Sequence, residues 1–111
     1  KLSILPSGAP RGHATELLAS DSMRRLLDEL SSRYADRIVV FDAPPLLPST
    51  ESRVLATHMG QVILVIEASQ TSHRTVAQAM ASIESCPVVL PLLNKIDQSE
   101  VGSFSGYYVP R

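Results

Sequence analysis

Three short runs, Ile38-Val-Val-Phe-Asp42, Val62-Ile-Leu-Val-Ile66 and Val88-Val-Leu-Pro-Leu-Leu93, are almost wholly apolar on consecutive residues. A strand with one wet face alternates apolar and polar side chains, so runs of this kind predict strands covered on both faces, as in a parallel sheet. Leu2 to Leu5 is a fourth candidate. Parallel neighbours need long crossovers, and the segments between the runs read as helices. From about residue 21 to 34, Met23, Leu26, Leu27, Leu30 and Tyr34 fall at i, i+3, i+4, i+7 and i+11, one apolar stripe that Ser20 or Asp21 would cap. A second helix is predicted from Ser49 or Thr50 to Gly60, with Val54, Leu55, His58 and Met59 inward and Gly60 as the left-handed residue that stops it. A third is predicted from Thr71 or Ser72 to Ser85, with Val76, Met80 and Ile83 inward and Pro87 opening the next strand. The order β-α-β-α-β-α-β points to a right-handed α/β layer whose ligands gather beyond the carboxyl ends of its strands. Pro91 lacks the amide a central strand needs, which places its strand near an edge or makes it irregular there. From Gln98 the sequence turns Ser, Gly and Tyr rich and reads as a mobile tail.

Composition removes several function classes. Ten Lys plus Arg against eleven Asp plus Glu give a net charge of -1, so no basic excess exists to hold nucleic acid or anionic lipid. Neither of the two lysines, Lys1 and Lys95, can close a G-x-x-x-x-G-K-[ST] phosphate loop. Cys86 is alone, which forbids an internal disulfide, fits a reducing compartment and excludes the common zinc spacings. No apolar run approaches the roughly 18 residues of a membrane span. The chain opens on Lys1 without a basic and apolar leader, and the natural start is expected to lie upstream.

Asp42 is the most informative position. It ends an apolar run and is followed by Ala43-Pro44-Pro45, so its carboxylate is expected at the carboxyl edge of a buried strand, where a cation on nucleotide phosphates is held directly or through water. An Asp there also serves simply to cap a loop or a helix start. The double proline prevents an immediate helix and fixes the backbone behind the acid.

The run ending Asp-Ala-Pro-Pro-Leu-Leu resembles the Walker B strand of the MinD/ParA-like ATPases, and within that group the bacterial tyrosine autokinases of exopolysaccharide and capsule biosynthesis. The resemblance extends to Leu5-Pro-Ser-Gly8, Thr15-Glu-Leu-Leu-Ala-Ser20, Gln61-Val-Ile-Leu-Val-Ile66 and Leu93-Asn94, nearly the whole chain. It implies a partial P-loop NTPase layer, with residues 1–97 forming the carboxyl-terminal half of a kinase domain and 98–111 a flexible tyrosine tail. By that resemblance Asp42 is the Walker B acid serving Mg2+ and phosphoryl transfer. Asn94 matches an Asn that contacts adenine, where a side-chain amide offers both a donor and an acceptor. The alternative for Asn94 is a turn residue closing its strand. The Walker A lysine belongs to an upstream half, without which this piece is expected to bind ATP poorly and to be inactive.

In Ser103-Phe-Ser-Gly-Tyr-Tyr108, Tyr107 and Tyr108 resemble the tail acceptors that a neighbouring subunit phosphorylates in such kinases. A Gly/Ser tether lets a tyrosine reach another active site, and each phosphate would add about 1.5 to 2 negative charges. The other reading is an aromatic tail folded back onto apolar surface. The resemblance further implies a homo-oligomer, a transmembrane polysaccharide co-polymerase as partner, and a cytoplasmic location at the inner membrane held through that partner. Two rival readings are a MinD/ParA-like positioning ATPase, which the tyrosine tail disfavours, and a nonenzymatic docking module. Asn94-Lys-Ile-Asp97 spells the N-K-x-D guanine motif, but Asp42-Ala-Pro-Pro45 stands where a GTPase has D-x-x-G, so guanine is not assigned. Gly102-Ser-Phe-Ser-Gly106 has Phe104 at the position of a hydrolase nucleophile. His13, His58 and His73 lack metal-ligand spacing; His58 is expected half-buried and His73 on the surface of a first turn. Arg24, Arg25 and Arg33 read as a solvated helix face, with an oligomer interface as the alternative. Glu51 stands where relatives often carry Asp and is given no role.

Overall fold

Each of three serines stands one residue before a helix and closes its first turn. The computed structural model describes residues 2–97. In it Ser20 opens α2 (Asp21–Arg33), Ser49 opens α3 (Thr50–Ala56) and Ser72 opens α4 (His73–Ser82). Each hydroxyl accepts from the amide three residues on, those of Met23, Ser52 and Thr75, at 3.3, 3.0 and 3.1 Å, satisfying an amide that the helix leaves unpaired. A short α1 (Ala14–Leu18) precedes them, begun by His13 without a side-chain cap. The strands are β1 (Val62–Glu67) and β2 (Val89–Asn94), paired in parallel from Val62 opposite Val89 to Glu67 opposite Asn94.

The chain divides into two compact units, Lys1–His58 and Met59–Arg111. In the first, α1 packs on α3 and touches α2. His58 Nε2 donates to the Leu18 carbonyl at 2.8 Å, and Ser52 and Ala56 of α3 are buried. The stripe of α2 is half-buried at Met23, Leu27, Leu30 and Tyr34, while Leu26 is exposed. The Arg37 guanidinium lies 4.7 Å from the Tyr34 ring centroid, a cation–π contact at the end of the helix. In the second unit, Ala68, Ala79, Ile83 and Cys86 are buried. The Cys86 thiol lies 3.4 Å from the Val88 carbonyl, which also accepts from the Val62 amide at 2.9 Å.

The two-stranded parallel sheet with helices makes the described residues α/β, but the seven-element alternation is not reproduced. Residues 2–5 and 38–42 form no strand. Ile38 and Val40 are 92% and 81% exposed. A strand exists only by hydrogen bonding to a neighbour, and no described segment pairs with either run. Cover on both faces fails as well: Val62, Leu64 and Ile66 are half-buried, whereas Ile63 and Val65 are exposed. The second helix stops at Ala56 rather than Gly60, and Gly60 is not left-handed, a conformation that Gly8 adopts with φ 75°. The third ends at Ser82, with Ala79 and Ile83 buried and Met80 exposed. The position of Pro91 follows from the pairing. The Val62 amide donates to Val88 and the Ala68 amide to Asn94, so even-numbered residues of β2 bond to β1 and the missing amide of Pro91 falls on the outer edge, where it costs no ladder bond.

Candidate functional site

Asp42 lies in an irregular stretch leading into the double proline, not at the end of a paired strand as its sequence predicts. Its carboxylate is exposed and has no hydrogen bond or ion pair among the described residues. The backbone behind it is held from α3. Ser52 Oγ lies 2.9 Å from the Pro44 carbonyl, and Arg53 Nη1 donates to the carbonyls of Leu46 and Leu47 at 3.2 and 2.6 Å. Arg53 Nη2 donates to Thr50 Oγ1 at 3.1 Å. The guanidinium fork thus ties the turn after the prolines to the first turn of α3, a use that a lysine cannot copy.

Glu51 extends the clamp. Ser49 Oγ donates to its Oε2 and Thr15 Oγ1 to its Oε1, both at 3.2 Å, the second joining α1 to α3. Its own backbone amide, then the Ser49 and Thr15 hydroxyls, hold its carboxyl below the usual glutamate range, with Arg53 adding a smaller pull. Sequence reasoning assigned Glu51 no role and did not single out Ser52 or Arg53. The signal was present: a Ser-Thr-Glu-Ser-Arg run directly after a proline turn places short hydroxyls and a fork at a helix start.

An exposed carboxylate without a partner matches what Mg2+ takes from proteins, one or two carboxylates with waters and substrate phosphate oxygens. Asp42 meets that donor set.

At the carboxyl end of β2, Asn94 is exposed and its Oδ1 accepts from the Lys95 amide at 2.9 Å. Lys95 is left-handed, with φ 57°. Its ammonium donates to Glu67 Oε1 at 2.8 Å, closing the end of β1 onto the loop after β2. Both groups are exposed, so the pair contributes about 0–1 kcal/mol and its main effect is on where the loop lies. Ser69, just beyond β1, is also left-handed, with φ 61°. Asp42 belongs to the first unit and Asn94 to the second. Tyr107 and Tyr108 lie outside the described residues. His73 is the exposed first residue of α4 and His58 is half-buried, as their sequence positions predict.

Comparison with known proteins finds the tyrosine-protein kinase YwqD of Bacillus subtilis, 31% identical over 85 residues, 77% of this chain and 35% of the relative. The tyrosine-protein kinase ptk of Acinetobacter johnsonii is 25% identical over 103 residues, 91% of this chain and 14% of the relative. The tyrosine-protein kinase wzc of Salmonella typhi is 26% identical over 108 residues, 95% of this chain and 15% of the relative. The chain therefore spans well under half the length of each of these three. No family model and no solved structure matches it.

Proposed function

We propose that this chain, which belongs with the bacterial tyrosine-protein kinases, is the carboxyl-terminal half of a P-loop tyrosine autokinase that regulates exopolysaccharide or capsule biosynthesis. The observation that carries the reading is similarity over most of the chain to proteins named for that activity. The open carboxylate of Asp42 on a clamped loop supports it. In the complete kinase Asp42 holds Mg2+, Asn94 faces the nucleotide base, and Tyr107 and Tyr108 of a neighbouring subunit receive phosphate.

Mg2+ bound with ATP supplies charge neutralisation on the phosphates as one phosphoryl group passes to a tyrosine oxygen. Asp42 would hold that cation, and the Arg53 clamp on the carbonyls of Leu46 and Leu47 fixes the turn that follows the prolines. Residues 1–97 supply this half of the site and 98–111 the substrate tail; the phosphate cradle comes from a preceding half, without which the chain is inactive. Identical subunits and a transmembrane polysaccharide co-polymerase are its partners, at the cytoplasmic face of the membrane. Among the described residues no helix is long and apolar enough to cross a membrane.

The test joins this chain to its phosphate-binding half and measures ATP-dependent phosphotyrosine. Asp42→Asn is expected to lower the rate by about 10²-fold or more, the scale of losing a preorganised charge at a reacting centre. Tyr107→Phe with Tyr108→Phe is expected to remove the tail signal while an added peptide substrate is still phosphorylated. Full activity in Asp42→Asn contradicts its role, and unchanged tail phosphorylation in the double variant contradicts the acceptors.

A further inference from the structure

β1 and β2 end side by side, and an ion pair ties the chain together just past them. Glu67, the last residue of β1, stands opposite Asn94, the last of β2. The final backbone bond between the strands runs from the Ala68 amide to the Asn94 carbonyl at 2.9 Å, and the Glu67 carbonyl accepts from the Thr71 amide at 3.1 Å. Glu67 is thus anchored through its own backbone. Lys95 lies one residue beyond the ladder, and its ammonium reaches back to Glu67 Oε1 at 2.8 Å. Ser69 and Lys95, with φ 61° and 57°, are the non-glycine residues of positive φ among the described residues, and both sit in these turns. A side chain enters that region at a steric cost, and residues held there cluster at functional sites.

The ion pair bears on Asn94 through the backbone. With Lys95 left-handed, its amide donates to Asn94 Oδ1 at 2.9 Å and so orients the side chain of the residue before it. An amide oxygen that accepts one bond keeps a second lone pair, and the nitrogen keeps both hydrogens, so Asn94 held in this way still presents a donor and an acceptor. Its place, exposed at the carboxyl end of a parallel strand, is where α/β layers take their ligands. Stability is a poor account of the pair. Both side chains are exposed, and exposed pairs add little to folding. Its effect falls instead on a residue whose amide orients the Asn94 carboxamide.

We infer that Glu67 and Lys95 are positioning residues for nucleotide binding: their ion pair holds the turn after β2 in the left-handed conformation that orients Asn94, and so sets nucleotide affinity without touching the nucleotide. This rests on the kinase reading, in which Asn94 faces the base, and adds the two residues that hold it there.

The experiment uses the full-length kinase containing this chain, and measures KM for ATP and kcat for phosphotyrosine formation at low and high salt. Glu67→Gln and Lys95→Met are each expected to raise KM about threefold at low salt with kcat unchanged, the scale of an exposed pair. The difference is expected to shrink in high salt, which screens the pair in the parent protein. In an Asn94→Ala background no carboxamide is left to orient, so Glu67→Gln is expected to add nothing further. A KM that rises as much in that background, or a kcat that falls while KM holds steady, overturns the positioning role. An unchanged KM in both single variants, with Asn94→Ala still raising it, also overturns that role and leaves the kinase reading standing. Asn94→Ala without effect on KM removes the base contact and this inference with it, and no phosphotyrosine from the full-length protein overturns the kinase reading as well.

Discussion

Glu51 shows how much of a fold one carboxylate can organise. It joins α1 to α3 through Thr15 and caps the start of α3 through Ser49, and these bonds hold its carboxyl below the usual glutamate range. A group whose folded value is depressed contributes stability that is present above its unfolded value and lost as pH falls through its folded one. Protection of the α1 amides against hydrogen exchange, corrected for intrinsic rates, is therefore expected to fall as pH drops below about 4, near the ordinary glutamate value. Glu51→Gln should flatten that dependence and leave α1 less protected at neutral pH; an equal acid dependence in the variant would place the titrating group elsewhere. At this scale the sequence was legible where a residue's use is local. Ser20, Ser49 and Ser72 each cap the helix their position predicts. It was not legible at Glu51, because Thr15 is 36 residues away in the chain. Nor could it say that the Asn94 oxygen accepts from the Lys95 amide, since that contact is made with Lys95 in the left-handed region.

Among the elements, α3 governs the turn behind Asp42, although it has only seven residues and would be unstable alone. Its hold comes from Ser52 and Arg53. Ser52 is buried, with its hydroxyl within 2.9 Å of the Pro44 carbonyl and 3.0 Å of Ser49 Oγ. Ser52→Ala is expected to cost about 1 kcal/mol, the usual size of a lost side-chain hydrogen bond, read from the midpoint of urea unfolding. If the proposed function holds, it should also slow phosphotyrosine formation by the joined protein several-fold with little change in nucleotide affinity, because the carboxylate remains but its loop is looser. A variant of unchanged stability and rate would show that Arg53 alone holds the turn. The helices were foreseeable from caps and apolar spacing, both of which are read within one turn of chain. The strands were foreseeable only in part. Val62–Glu67 and Val89–Asn94 find each other across one crossover, whereas residues 2–5 and 38–42 carry strand composition without a described neighbour. Composition announces a wish for cover and says nothing of what supplies it. Helix α1 escaped notice for the opposite reason, being five residues long and uncapped.

For the molecule as a whole, the apolar residues left in contact with water set the expected behaviour. Leu2, Ile4, Leu5, Ile38 and Val40 are each more than 80% exposed in the first unit, and Ile63 and Val65 about 60% in the second. Folding alone leaves this surface wet, at about 25 cal/mol for each Å² that burial would have stabilised. Unpaired strand-like runs with their backbone groups open also invite pairing with another chain. The proline on the outer edge of β2 blocks a ladder bond there, so pairing is directed to residues 2–5, 38–42 and the free side of β1. By itself the chain is expected to associate in sedimentation and to melt without a sharp transition. Joined to the phosphate-binding half that the proposed function assigns to it, the chain should melt cooperatively, because on that reading the same runs acquire neighbours. Val40→Lys offers the sharper check. In the isolated chain it should reduce association, since a charge now guards an exposed run. In the joined protein it should destabilise by about 2 kcal/mol or more, since the lysine would have to be buried. A monomeric isolated chain with a cooperative high-temperature melt, unaffected by Val40→Lys in both settings, would mean that residues 38–42 are ordinary surface and never a strand of a larger sheet.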